Sequence, residues 1–157
     1  MTANDLGVGK EVTINRVFNA PRELVFDVWT EPKHIATWFG PKEFTNPVCE
    51  MDVRPGGRMI IHMRSPEGDV FPSIGEFTEV VPPERLAFTS AAYAGVGGPF
   101  MLEDHTTVTF EDQGGKTLMT LHAVVTRAVP EATGALAGME EGWNESLDKL
   151  AALLATL

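Results

Sequence analysis

Acids stand beside a histidine at one place in this 157-residue chain, the run Glu103-Asp104-His105. A carboxylate that orients an imidazole is the ordinary construction of a general base. Neighbours on a strand point to opposite faces, however. Only Glu103 and His105 share a side, the polar one, so no catalytic dyad is expected. The reversed phase would place Asp104 and Thr106 inside as isolated polar groups, and that alternative keeps a hydrolase or cyclase reading open.

Other chemistry-bearing residues carry weaker signals. His34, His62, His105 and His122 include no pair at metal-ligand spacing, whereas a metal site needs three or four converging ligands. No metal and no cofactor are therefore predicted, and no residue is assigned a catalytic role. Cys49 is the sole cysteine, which rules out an internal disulfide and fits a reducing cytoplasm. In its apolar strand it reads as a small buried hydrophobe, not a nucleophile. The stretch Gly95-Val-Gly-Gly-Pro-Phe100 lacks the lysine and following helix N-terminus that cradle a phosphate. It reads as a hairpin loop, with an apolar lid of Tyr93, Val96 and Phe100 as the sharper alternative.

Bulk properties narrow the partners. A formal net charge of −10 without a Lys/Arg cluster argues against nucleic acid and anionic membranes, which are bound by basic surfaces. No apolar run approaches the roughly 20 residues that span a bilayer, and the first residues lack the pattern of a signal peptide. With 43% hydrophobic and 22% charged residues, the composition is that of a soluble globular protein, and a cytoplasmic location is expected from the cysteine usage. A homodimer is left open.

Such residues are positioned by a strand-rich chain closed by a helix. Residues 1–10 read as a loose tail and residues 11–157 as a single domain. Glu11 to Phe18 alternates as a first strand, and Asn19-Ala-Pro-Arg-Glu starts a short helix with Pro21 in its first turn. Thr30-Glu-Pro restarts a second short helix through about Thr37. Strands are then predicted over 44–53, 58–64, 70–81, 86–90, 104–111 and 117–125, separated by Pro/Gly turns. From Pro130 to Leu157, the residues Leu136, Met139, Trp143, Leu147, Leu150 and Leu154 fall in one arc at 100° per residue, roughly. Gly134 and Gly138 fall opposite that arc and Gly142 on its flank, so none of them is expected to face the sheet. This ending reads as an anchored half, 139–154, behind a softer lead-in, 130–138, where a ligand would enter. The order makes an α+β architecture: a curved antiparallel sheet of about seven strands gripping one long helix.

Five stretches carry a resemblance. They are Phe18-Asn-Ala-Pro-Arg-Glu-Leu-Val-Phe-Asp-Val-Trp29, Trp38-Phe-Gly-Pro41, Asp52-Val-Arg-Pro-Gly-Gly57, Gly75-Glu-Phe-Thr-Glu-Val-Val-Pro-Pro-Glu-Arg-Leu86, and Gly142-Trp143 with Leu147. Together they resemble the activator-of-heat-shock-ATPase homology family, within the START-like, helix-grip SRPBCC superfamily. The resemblance runs from about Val12 to Leu154. It implies the pollen-allergen-like helix-grip fold and a cavity for hydrophobic or amphipathic small molecules under the long helix. It also implies a polyketide-cyclase-like or hydrolase-like enzyme as one alternative and a stimulator of a heat-shock ATPase as another. The latter is the weaker expectation, since the chain shows no N-terminal domain like the co-chaperone's.

The strand phases name the residues that would line such a cavity. Met59, Ile61, Met63, Phe77, Phe88, Val108, Phe110, Met119 and Leu121 share the inner phase, and thioethers suit surfaces that accept varied ligands. A filled core is the equal alternative. Of Trp38 and Phe39, one would pin the helix pair and the other would stand at the mouth. Met139, Trp143 and Leu147 complete the set from the helix. The expected function is the binding of a small hydrophobic or amphipathic molecule, with no catalytic role assigned.

Overall fold

A computed structural model describes residues 7–157. Of the expected tail, residues 1–6 lie outside the described residues. Gly9 donates to the Val125 carbonyl (2.8 Å), and Val125 donates to that of Lys10 (2.9 Å).

Among the described residues, seven strands form one antiparallel sheet: β1 Glu11–Phe18, β2 Thr45–Met51, β3 Arg58–Arg64, β4 Val70–Val81, β5 Arg85–Tyr93, β6 Phe100–Gln113 and β7 Lys116–Ala128. The order across it is β1-β7-β6-β5-β4-β3-β2. Two short helices, α1 Arg22–Thr30 and α2 Pro32–Trp38, follow β1. After β7 come a single 3-10 turn at Pro130–Ala132, α3 Thr133–Ala137 and α4 Met139–Leu154. This is the expected helix-grip fold. No helix among the described residues is long and apolar enough to cross a membrane.

The local reasons are visible in the residues. Val12, Ile14 and Phe18 bury one phase of β1. Pro21 caps α1 instead of lying inside its first turn, its carbonyl accepting from Leu24 and Val25. Trp29 and Trp38, one from each short helix, meet edge-on at 4.7 Å between ring centroids. Both are fully buried, and each aromatic of this size removes roughly 150–250 Å² from water.

β5 and β6 run further toward their shared turn than the expected 86–90 and 104–111. Ala92 pairs with Leu102 and Tyr93 with Phe100. Alanines carry little strand signal of their own, so pairing with a partner strand decides their conformation. β7 contains a bulge: Glu103 pairs with Arg127 but Asp104 with Val125, leaving Thr126 extra. One extra residue shifts the phase, so Val125 and Ala128 are both buried.

The closing stretch is two helices with a break at Gly138; Leu136 on one side and Leu147, Leu150 and Leu154 on the other are buried, as their spacing requires. The lead-in packs by itself, with Leu136 and Ala132 against Leu102, Val125 and Ala128. α4 joins the main core through Leu147, Leu150 and Leu154. Its outer flank is tied to β1 by Arg16, which meets the Asp148 carboxylate at 2.7 Å and donates to the Asn144 carbonyl at 3.0 Å.

Candidate functional site

The concave face of the sheet is filled unevenly. Over β1, β7 and the inner half of β6, the side chains Val25, Phe26, Trp29 and Trp38 pack down from α1 and α2. Toward the other end of β4 to β6 the inward residues shrink to Ser73, Ser90 and Ala92. Nothing descends far enough to meet them, and a cavity of about 400 Å³ remains between these strands and α3–α4. That is within the range of sites that enclose drug-sized molecules.

The strand side of the cavity presents Ser73, Phe88, Ser90, Ala92, Leu102 and Asp104. The helix side presents Ala135, Gly138, Met139, Gly142, Trp143 and Ser146. Phe39, Gly40, Pro41, Phe44, Met63, Phe71, Tyr93 and Met101 complete the wall. Of the residues expected there from sequence, Phe39, Met63, Phe88, Met139 and Trp143 line it. Trp38, Met59, Ile61, Phe77, Val108, Phe110, Met119, Leu121 and Leu147 lie in the packed core instead. The strand residues among them face inward as their alternation implies, but most lie where α1, α2 and α4 already cover the sheet.

The two adjacent aromatics take different surroundings. Trp38 is the pin, its indole N–H donating to the Val28 carbonyl at 2.8 Å. Phe39 faces the cavity. Asn46 holds that residue in place by donating to the carbonyls of Phe39 (2.8 Å) and Ala36 (3.0 Å). Gly40 follows at φ 96°, a conformation glycine adopts without a Cβ penalty. Its carbonyl accepts from the Ser146 hydroxyl at 2.8 Å, and that of Pro41 accepts from Lys149 at 3.1 Å. These bonds clamp the Phe39–Pro41 turn onto α4. Trp143 stacks on Trp29 at 6.1 Å and meets Phe39 edge-on at 5.9 Å.

Gly138 and Gly142 line the cavity although neither was expected to face the sheet, because the cavity lies on the flank of the α4 arc, toward Gly142 and Ser146. A Cβ on Gly142 would meet only the Pro41 ring, at 3.7 Å.

A short polar row crosses this apolar wall. The Ser73 and Ser90 hydroxyls are 2.6 Å apart, and Ser90 pairs in register with Asp104. Thr106, fully buried, donates to Asp104 Oδ1 at 3.3 Å. Asp104 and Thr106 are thus inside without any reversal of phase, since β6 keeps Leu102, Thr106, Val108 and Phe110 on the same buried face. Glu103 and His105 occupy the other face, where His105 Nε2 lies 3.2 Å from the Thr78 hydroxyl. Burial pushes the Asp104 carboxyl up to about 7; Glu103 adds to the rise and the Thr106 hydrogen bond opposes it. The sequence signal for this residue was its parity with Val108 and Phe110.

The remaining candidates lie elsewhere. Burial pushes the Cys49 thiol up to about 11, leaving it protonated and unreactive near neutral pH. His122 Nε2 sits 2.7 Å from Glu11 on the sheet surface. Among the described residues no group of three or more His, Cys, Asp or Glu side chains is placed to hold a metal ion. In the glycine-rich hairpin, Tyr93 reaches the cavity wall and packs edge-on against Phe100. Arg127 covers the Phe100 ring at 4.2 Å. Val96 is 71% exposed.

Comparison with known proteins agrees with this architecture. A protein of Nitrosomonas europaea with a solved structure is 30% identical, with 93% of this chain and 94% of that one covered and a TM-score of 0.78. The AHSA1 protein of Silicibacter pomeroyi is 27% identical, with 94% and 99% covered and a TM-score of 0.75. A protein of Arthrobacter aurescens is 25% identical, with 94% and 87% covered and a TM-score of 0.80. No curated protein matches the chain. Residues 19–155 match the model of one family, and the chain belongs to it: the Activator of Hsp90 ATPase homolog 1-like proteins.

Proposed function

We propose that this protein binds a small amphipathic molecule in the cavity between its sheet and α4. One observation carries the reading: a cavity of about 400 Å³ whose walls are mostly aromatic, methionine and alanine side chains, crossed by a single polar row. An apolar body would occupy the aromatic end, and one polar group would meet Ser73, Ser90 or Asp104. Membership of a helix-grip family supports the same view.

Trp143 makes the test direct, because its ring stands on the wall. Aromatic and lipid-like probes are expected to change tryptophan emission saturably and to raise the unfolding temperature. The Gly142→Leu variant is expected to weaken binding by about ten-fold or more, its side chain occupying the ligand's volume. Its fold should be retained, since leucine is the better helix former by roughly 1 kcal/mol. Unchanged affinity in that variant would place the ligand elsewhere.

A second reading, acid–base catalysis, is supported by Asp104 alone. A carboxyl held near 7 is matched to proton transfer at neutral pH. Its test is deuterium uptake next to the carbonyl of an aryl diketone in heavy water, followed by NMR. Uptake at the rate of buffer alone would remove this reading.

A further inference from the structure

One carboxyl on the cavity wall has no basic partner among the described residues. Asp104 is the one ionisable acid on that wall, and no lysine, arginine or histidine lines the cavity among the described residues. The wall's serine hydroxyls are partly engaged. Ser73 and Ser90 bond each other, and the Ser146 hydroxyl is bonded to the carbonyls of Gly40 and Gly142. Asp104 itself receives one long bond, from Thr106 to Oδ1, and Oδ2 has no partner among the described residues. The surrounding wall carries the rings of Phe39, Phe44, Phe71, Phe88, Tyr93 and Trp143.

We infer that the ligand carries a protonated amine beside its apolar body, the ammonium pairing with Asp104 among these rings. This rests on the cavity being the ligand site. An ammonium would supply the missing counter-charge through a charge-assisted hydrogen bond, and aromatic faces attract cations. A carboxylate-headed ligand such as a fatty acid would bring a second negative charge into a poorly solvated site with no cation to receive it. The overall charge of −10 favours the approach of a cation over that of an anion.

The electrostatic neighbours of Asp104 are few. From β5 it faces Ser90 and from β7 Val125, neither of which titrates. From α3 and α4 the facing residues are Ala135, Gly138, Met139, Gly142, Trp143 and Ser146, also without a titrating group. Tyr93 is the other ionisable side chain on the wall. Glu103 lies next along β6 on the opposite face, paired in register with Arg127. Deprotonation of Asp104 is therefore the change that a ligand in the cavity would sense between about pH 5 and about pH 8.

Three probes with one aromatic body separate the outcomes: naphthylethylamine, naphthylethanol and naphthylacetate, titrated by calorimetry and tryptophan emission. At about pH 8 the amine is expected to bind at least about ten-fold more tightly than the alcohol, and the acid most weakly. The amine's advantage should shrink toward about pH 5, where Asp104 is neutral and the amine remains charged. In Asp104→Asn the amine-to-alcohol ratio should fall to near one. Should that variant fail to fold, the pH series on the parent protein decides alone. Binding of the alcohol with no advantage for the amine, or an advantage that ignores pH, would overturn the amine inference and leave the cavity reading standing. Absence of binding by all three would count against the cavity reading itself.

Discussion

Replacing Asp104 by asparagine is expected to stabilise the protein at about pH 8 by as much as about 4 kcal/mol, and to give no such gain near pH 4, approximately. The sign follows from where the proton sits. In the folded state the Asp104 carboxyl is held at about 7, against 3.8 for an ordinary aspartate. Between those values the folded protein binds a proton that the unfolded chain has released, so stability falls as the pH rises through this window. Above the folded value both states are ionised, and the full cost of a charge in a poorly solvated wall remains. Asparagine keeps the shape without the charge. Urea denaturation of parent and variant across the range measures the difference and cancels the titration of other carboxylates. A constant difference would mean that Asp104 is solvated and ordinary. A natural ligand that supplies a counter-charge should reduce the same penalty.

Gly75→Ala should have an effect of similar size and opposite sign, for an unrelated reason. Gly75 sits in the middle of β4, paired with Ser90 of β5 and Met59 of β3. A Cβ built there would lie 1.9 Å from the Thr89 carbonyl oxygen. This is backbone in the interior of the sheet, so no side-chain rotation relieves it. The missing side chain lets β4 coil tightly over β5 next to the irregular register at Phe77 and Glu79, as glycine does where two backbones approach closely. The expected loss is about 3 kcal/mol or more, beyond most single substitutions. Chemical denaturation would show it as a lower midpoint with an unchanged slope. A loss within about 0.5 kcal/mol would mean that the sheet flattens there at little cost.

Sequence patterning revealed the strands and their inner phase because alternation is a local property. Met59 with Ile61, Val108 with Phe110, and Met119 with Leu121 all turn inward as their spacing requires. What alternation cannot express is which part of an inner face stays uncovered. The cavity exists because Ser73, Ser90 and Ala92, from two strands, come together beyond the reach of Trp29 and Trp38. That coincidence is set by register and by the placement of α1 and α2, neither of which has a local signal. Phe39, Met63, Phe88, Met139 and Trp143 reach the cavity, while equally apolar neighbours of the same phase do not. The two glycines on the helix side escaped notice because the cavity lies beside the apolar arc of α4, toward Gly142 and Ser146, and not under its centre. Asp104 was legible by parity alone, and its carboxyl gains meaning only once the emptiness around it is known.

The sheet order has a kinetic consequence. β1 is built first yet lies beside β7, so that Glu11 comes to rest against His122, 111 residues further on. Closing so long a loop must precede any reward from the pairing, and topologies of this kind fold slowly. On the ribosome, β1 waits unpaired while the other six strands emerge, and α4 leaves the exit tunnel after all of them. The roof over the cavity is the last part to be made. Nascent chains therefore expose the inner face of the sheet until α4 has emerged.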